Sequence, residues 1–133
     1  MSGEVIELDL LQDAVGEILA GIEALAKVLA YPDPQAPFPY ALIGADEVED
    51  EAVQFETRRK VWAPVHIYTQ EPGFTQCKRI TNEAIARLDG ASIEVAGAGV
   101  LSCFFKQSRF MRDPEPGIAH GVAEFEIRIR AAA

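Results

Sequence analysis

Four residues have side chains that could act as nucleophiles, general bases or metal ligands: Cys77, Cys103, His66 and His120. The cysteines lack the CxxC spacing of redox and zinc sites, and neither histidine belongs to an HExxH pattern. Cys77 falls on the apolar face of a predicted helix and Cys103 within a predicted strand, so we expect reduced, half-buried, inert thiols. A Cys–His pair brought together by the fold stays open as an alternative. We predict no catalytic residue, no metal site, no cofactor and no enzymatic activity.

An acidic run and a short basic stripe are the other groups of one chemical kind. Five of the six residues at 46–51 are carboxylates, which repel one another and favour a solvated loop or a strand extension. The run lacks the central glycine of an EF-hand loop, so a metal site is not the preferred interpretation. The basic stripe has the opposite charge, which favours complementarity between proteins, for example between subunits. The candidate contact residues are Asp46, Glu47, Glu49, Asp50, Glu51, Lys106, Arg109 and Arg112.

The length and composition are those of a single domain, which we assign to residues 1–133. The net charge of −9 argues against a grip on nucleic-acid phosphates, which needs clustered Lys and Arg. It suits a soluble protein, or a surface along which a polyanion slides without sticking. The sequence has no apolar run of the ~20 residues that cross a membrane, and the N-terminus lacks the basic region of a signal peptide. We therefore expect synthesis in the cytoplasm and no membrane partner.

Hydrophobic periodicity predicts two helices and four main strands. Apolar residues recur at spacings of three and four over residues 9–29 and 74–88, as in amphipathic helices. Alternating patterns predict strands over residues 58–69 and 118–130, and strand-forming residues predict one over 39–45. We expect a further strand over 100–111 and a short one at 93–95. Pro64 has no N–H to donate to a ladder, which predicts an edge position or a bulge for strand 58–69. The predicted fold class is α+β in the order α-β-β-α-β-β, with two helices packed on one face of a mainly antiparallel four-stranded sheet.

Five short segments, none of them a strict signature, are informative through their joint order and spacing. They are Leu11-Gln12-Asp13-Ala14 in the first helix, Phe38-Pro39-Tyr40-Ala41-Leu42-Ile43-Gly44 entering the sheet, Val65-His66-Ile67-Tyr68-Thr69, the helix with Ile80, Ala84, Ile85 and Leu88, and His120-Gly121-Val122-Ala123-Glu124-Phe125. In these segments, which span almost the whole chain, it resembles the tail-completion or tail-terminator proteins of long-tailed bacteriophages, prophages and gene-transfer agents.

The resemblance implies a structural protein of a virion or virus-like particle, a homo-hexameric ring at the head-proximal end of the tail tube. Such a ring ends tube growth, binds the major tail-tube protein and offers a docking face to the head–tail connector or stopper protein. DNA passes through its lumen without sequence-specific binding, and the acidic balance of the chain suits such a lumen. The run at 46–51 is then a candidate for the lumen wall or a ring-face contact. The alternative of a plain solvated loop stays open.

Two other functional classes stay open from the sequence. A small-molecule-binding or regulatory α+β module would also contain a helix-covered sheet. A small hydrolase or thiol enzyme that uses Cys77 or Cys103 with a histidine ranks last, because no nucleophile motif supports it.

Overall fold

The computed structural model describes residues 6–131, and these form two helices and seven strands. The helices are α1 (Leu8–Ala20) and α2 (Thr75–Leu88). The strands are β1 (Lys27–Leu29), β2 (Tyr40–Leu42), β3 (Glu47–Asp50), β4 (Arg58–Gln70), β5 (Glu94–Val95), β6 (Ala98–Arg112) and β7 (Ile118–Ala131). They form one curled, half-barrel sheet in the order β1-β2-β4-β7-β6-β5, and β3 also pairs with β4.

The predicted fold class, with its mainly antiparallel four-stranded sheet, is wrong. The fold is mostly sheet, and the sheet is mixed, because β1 runs parallel to β2 while the other pairs are antiparallel. Periodicity did not show β1 and β3, which have three and four residues. A segment this short carries too few positions for an alternating pattern, so pairing with a longer neighbour decides whether it becomes a strand. The short strand expected near residues 93–95 is confirmed as β5.

The first helix ends nine residues earlier than its apolar spacing predicts. Gly21, a poor helix former, follows the last turn and donates its N–H to the carbonyl of Ile18 (3.2 Å). The chain then turns, and residues 27–29 pair with β2 instead of continuing the helix. Leu29 is buried in that strand. The apolar residues Val28 and Leu29 fit a short strand as well as a helix, and the pairing with β2 decides between the two.

Both helices pack against the same face of the sheet and bury one continuous core. The inward residues of α1 and α2 are those of the predicted apolar stripes, among them Leu11, Leu19, Ile80 and Leu88. The predicted alternation of the second and last long strands is confirmed. Their buried residues include Val61, Val65 and Ile67 on β4 and Phe125, Ile127 and Ile129 on β7. Neither helix of the described chain is long and apolar enough to cross a membrane.

β4 lies in the interior of the sheet and pairs with β7 without a register shift, so neither the edge position nor the bulge predicted from Pro64 is found. Its odd-numbered residues bond to β7, since the bond from Glu71 N–H to the Gly117 carbonyl (2.9 Å) continues the β4–β7 register. Its even-numbered residues therefore face β2 and β3. Pro64 lies between His66, which pairs with β2, and Trp62, which pairs with β3. The missing N–H thus points at an interval in which no described residue pairs with β4, and no ladder bond is lost.

A carboxylate from the preceding strand end caps α2. Glu71 accepts hydrogen bonds from the N–H groups of Cys77 (2.8 Å) and Gln76 (3.1 Å) and from the Thr69 hydroxyl (2.5 Å). The two N–H groups belong to the first turn of α2, where backbone donors have no partner within the helix and negative charge is stabilised. Desolvation alone would raise the pKa of Glu71, but these hydrogen bonds hold it below its ordinary value. The cap fixes α2 above the centre of the sheet.

Candidate functional site

The face of the sheet opposite the helices brings together several of the predicted contact residues, among them Glu49, Glu51, Lys106 and Arg109. Side chains alternate along each strand, so residues next to the buried positions point away from the core. We call this surface the open face. It contains Lys60, Trp62, Pro64, His66 and Tyr68 of β4 and His120, Val122, Glu124, Glu126 and Arg128 of β7.

A chain of ion pairs crosses the open face and links the acidic run to the basic stripe. Glu51 contacts Arg128 (Oε1–Nε, 3.1 Å), Arg128 contacts Glu126 (3.1 Å), and Glu126 contacts Lys106 (3.7 Å). Lys60 also reaches Glu51 (3.4 Å). Glu126 is only 6% exposed, so its charge depends on these two cationic partners. The ion pairs connect β3, β4, β7 and β6 at their solvent side.

The acidic run divides into three environments. Residues 47–50 are β3 and are all exposed, so of the two expected outcomes the strand extension is the one found. Glu49 accepts a hydrogen bond from the Trp62 indole (2.6 Å), and Asp50 pairs with Arg59 (3.0 Å). Desolvation would raise the pKa of Glu51, but hydrogen bonds from Arg128 and Lys60 hold it below its ordinary value. Asp46 instead borders the core beneath α1, and burial raises its pKa.

The basic stripe is split between the two faces of β6. Lys106 and Arg109 lie on the open face, where Arg109 reaches Glu124 (3.5 Å). Arg112 lies on the helix side, donates to the carbonyls of Glu71 (3.2 Å) and Gly73 (2.5 Å), and stacks on the Phe74 ring. Arg112 therefore ties the turn before α2 to β6, and the structure does not bring it together with Lys106 and Arg109.

The open face also holds a row of stacked rings. Tyr68 stacks on His120 (ring centroids 4.3 Å apart) and on Tyr40 (5.0 Å), and His120 stacks on His66 (5.1 Å). Phe38 continues the row beside Tyr40 (5.3 Å). No sequence pattern indicated this row, because its residues in β2, β4 and β7 are aligned only by the strand registers Tyr40↔Tyr68 and Tyr68↔His120.

The two histidines form a hydrogen-bonded pair inside this row. His66 Nδ1 lies 2.8 Å from His120 Nε2, so one ring donates to the other. Burial lowers the pKa of both, the guanidinium of Arg109 lowers both further, and His66 lowers that of His120. The negative charge of Glu124 raises the pKa of His66, and that of Asp113 raises the pKa of His120. Both pKa values nevertheless remain below the ordinary value.

Acidification is expected to destabilise the fold through this pair. Both histidines titrate below the ordinary value of 6.5, so the unfolded chain binds protons first and stability falls as pH drops below about 6.5. We expect Tm to be a few degrees lower at about pH 5.5 than at about pH 7.5. The double variant His66→Phe/His120→Phe keeps the stacked rings and should show a flatter dependence over that window. Equal slopes in the two proteins would contradict this assignment.

The structure separates the thiols from the histidines. Cys77 and Cys103 are buried on the helix side of the sheet, and both histidine rings lie on the open face. Cys77 points its sulfur at the Ile67 carbonyl (3.7 Å). Burial raises the pKa of both thiols, that of Cys103 to about 11. Within residues 6–131 the fold therefore forms no Cys–His pair.

The tip of the β3–β4 hairpin carries an apolar residue that the sequence patterns did not single out. Phe55 is 96% exposed and has a positive φ of 64°, a conformation that is uncommon for a bulky residue. A bridge between Val53 and Glu56 closes the tip around it. Val53 and Val48 on the same hairpin are also exposed. Exposing the Phe55 ring to water is unfavourable in free energy, and burying it against a partner surface would remove that cost.

Two comparisons find proteins similar to this chain. A family model described as tail completion protein gp17 matches residues 9–130. Among solved structures, a chain from "Virion of native gene transfer agent (GTA) particle" superposes with a TM-score of 0.83 at 18% sequence identity, covering 93% of this chain and 97% of that chain. At that identity the likeness establishes the fold. A search of curated protein sequences finds no match.

Proposed function

Since the chain belongs to the tail completion protein gp17 family, we propose that it forms a ring that closes the head-proximal end of a virion tail tube. The family match over residues 9–130 is the observation that carries this proposal, and the fold shared with a chain of a gene transfer agent virion supports it. In this role the protein ends tube growth and joins the tail to the head connector.

The ring consists of copies of this chain, six by analogy with other tail terminators. One ring face binds the last ring of the major tail-tube protein and the other binds the connector or stopper protein. The open face supports a role in protein contact, because its charges are balanced and ion-paired instead of uniformly basic. The net charge of −9 supports passage of DNA through the lumen, since a negative wall repels phosphate.

Tube length tests the proposed function directly. Purified tail-tube protein should polymerise into tubes of uncontrolled length, and adding this protein should arrest growth and leave a cap at one tube end in negative-stain images. A particle-producing strain without the coding sequence should accumulate tails of variable length that lack heads, and supplying the protein in trans should restore joined particles. Tubes that grow unchanged in its presence, together with normal particles in its absence, would refute the function.

Neutralising the acidic run is expected to impair assembly or DNA release but leave the monomer folded. The variant replaces Asp46, Glu47, Glu49, Asp50 and Glu51 with Asn or Gln. In the wild type the ion pairs of these carboxylates are partly exposed, so screening by solvent keeps their contribution to stability small. Particle yield and DNA transfer, measured beside the melting temperature, check this.

The matched control neutralises the same number of exposed carboxylates elsewhere: Asp9, Asp13, Glu17, Glu23 and Glu115. It changes the net charge equally, so a defect confined to the first variant would locate the effect in the acidic run. Equal yields from both variants would show that residues 46–51 are an ordinary solvated segment.

A further inference from the structure

The sheet has one outer edge along β3. The bond from Glu51 N–H to the Arg58 carbonyl (3.0 Å) continues the β3–β4 register, so Glu51 and the alternate residues before it bond to β4. The backbone groups of Val48 and Asp50 therefore point outward. In the described chain no strand pairs with that side, and we call residues 47–50 the β3 edge.

A second outer edge lies at the far side of the sheet, along β6. The bond from Asp113 N–H to the Ile118 carbonyl (3.1 Å) continues the β6–β7 register, so the backbone groups of Ser108 and Phe110 point outward. Residues 6–131 supply no strand that pairs with them, and we call residues 107–112 the β6 edge.

Hydrogen bonds from residues 89 and 90 cover part of the outer edge of β6 in its first half but not in its second half. Gly90 N–H donates to the Cys103 carbonyl (2.7 Å), and the Asp89 carboxylate accepts the Phe105 N–H (3.0 Å). A bulge between Phe105 and Gln107 ends this protection. Soluble proteins usually cover, shorten or distort a strand edge, because a regular open edge pairs with other chains. A strand of another chain can therefore form hydrogen bonds with the β6 edge.

The two edges carry opposite charges. All four residues of the β3 edge are exposed, and three of them are carboxylates. Beside the β6 edge, the side chains of Lys106 and Arg109 are 45% and 61% exposed, and their internal ion pairs are long at 3.7 and 3.5 Å. An acidic edge of one copy is therefore complementary to the basic edge of another.

We propose that the β3 edge of one copy pairs with the β6 edge of a second copy, so that the sheets of neighbouring subunits join across the interface. This inference rests on the proposed ring and names the surfaces that close it. The two edges are different surfaces of one molecule, so the contact is head-to-tail, the type that closes into rings. Within one copy β3 and β6 run in opposite directions, so neighbours that keep one orientation along the ring axis meet as an antiparallel pair.

Proline substitutions test the backbone pairing with little effect on the monomer. Val48→Pro and Ser108→Pro each remove an outward N–H that bonds to no strand within residues 6–131, and proline is tolerated at such edge positions. Val48→Thr and Ser108→Thr are the controls, because they alter the side chain and keep the N–H. Ring formation is measured by native mass spectrometry and negative stain, for the protein alone and with tail-tube protein, beside the melting temperature.

We expect the proline variants to melt like the wild type and to require at least about tenfold more protein to form rings, while the threonine variants behave as wild type. Rings formed equally well by wild type and proline variants would overturn the edge pairing and leave the proposed function intact. A wild type that forms no ring with or without tail-tube protein would overturn both.

Reversing the charges at the β3 edge and at the β6 edge tests the contribution of the side chains to the pairing. One variant carries Glu47→Lys and Glu49→Lys, and the other carries Lys106→Glu and Arg109→Glu. Each alone places like charges across the interface and should weaken ring formation by roughly 100-fold. Mixed together, they can alternate around a ring with opposite charges at every contact, so the mixture should assemble. A mixture as inactive as its components would overturn the pairing.

Discussion

Replacing Gly121 by alanine is expected to destabilise the protein by about 1–3 kcal/mol, and replacing it by valine to destabilise it further. Gly121 lies on β7 under α2, where a Cβ would approach Cys77 Sγ, Thr81 Oγ1 and Phe110 Cε1 to 2.9 Å each. Cys77 and Thr81 are fully buried on the helix, so they can yield only if α2 lifts from the sheet. That movement would disrupt the core around the helix.

Thermal and urea unfolding measure this effect, which corresponds to roughly 5–10 °C in Tm for the alanine variant. Gly73→Ala is the matched control, because a Cβ at Gly73 meets nothing within 4 Å, and it should change stability by less than about 0.5 kcal/mol. An unchanged melting temperature for Gly121→Ala would show that α2 does not approach β7 this closely.

Replacing Phe55 by serine is expected to leave the monomer stable and to weaken its capture by the assembled tail. A buried aromatic anchor in an interface contributes at least about 2 kcal/mol, which corresponds to roughly 30-fold in affinity. In the monomer Phe55 is 96% exposed, so its removal costs little packing. Phe55→Gly sharpens the test, because glycine accepts the positive φ of 64° without strain and should keep or increase the melting temperature.

Capping of tail tubes and yield of joined particles measure this effect. Gln54→Ala, an exposed substitution at the neighbouring position, should behave as wild type in both assays. Full capping by Phe55→Gly at protein concentrations that just suffice for the wild type would mean that the hairpin tip stays in solvent after assembly.

The sequence predicted the long elements well and the sheet poorly. The bounds observed for α2, β4, β6 and β7, which have 13 to 15 residues each, differ from the predicted ones by two residues or fewer. The predicted end of α1 was wrong, because the apolar spacing continues past Gly21. Only the pairing of residues 27–29 with β2 shows that the helix has ended before them. β3 was not predicted as a separate strand, because carboxylates have a low strand propensity. Pairing with β4 overrides that propensity.

The candidate contact residues show the same division. The sequence identified the opposite charges at 46–51 and 106–112, because net charge and its clustering are properties of composition. It could not show that Arg128 and Glu126 connect Glu51 to Lys106, nor that Arg112 turns to the helix side. The alternation of β6 and its bulge decide which side each cation takes.

By itself, then, the sequence determined the amphipathic helices, the long strands, the charge balance and the resemblance to tail-completion proteins. These depend on periodicity and composition, which are local along the chain. Only the tertiary structure decided the strand order, the stacked pair of His66 and His120, the exposure of Phe55 and the two unpaired edges within residues 6–131. Each of these depends on contacts between residues far apart in sequence, and strand register, which no local pattern encodes, sets those contacts.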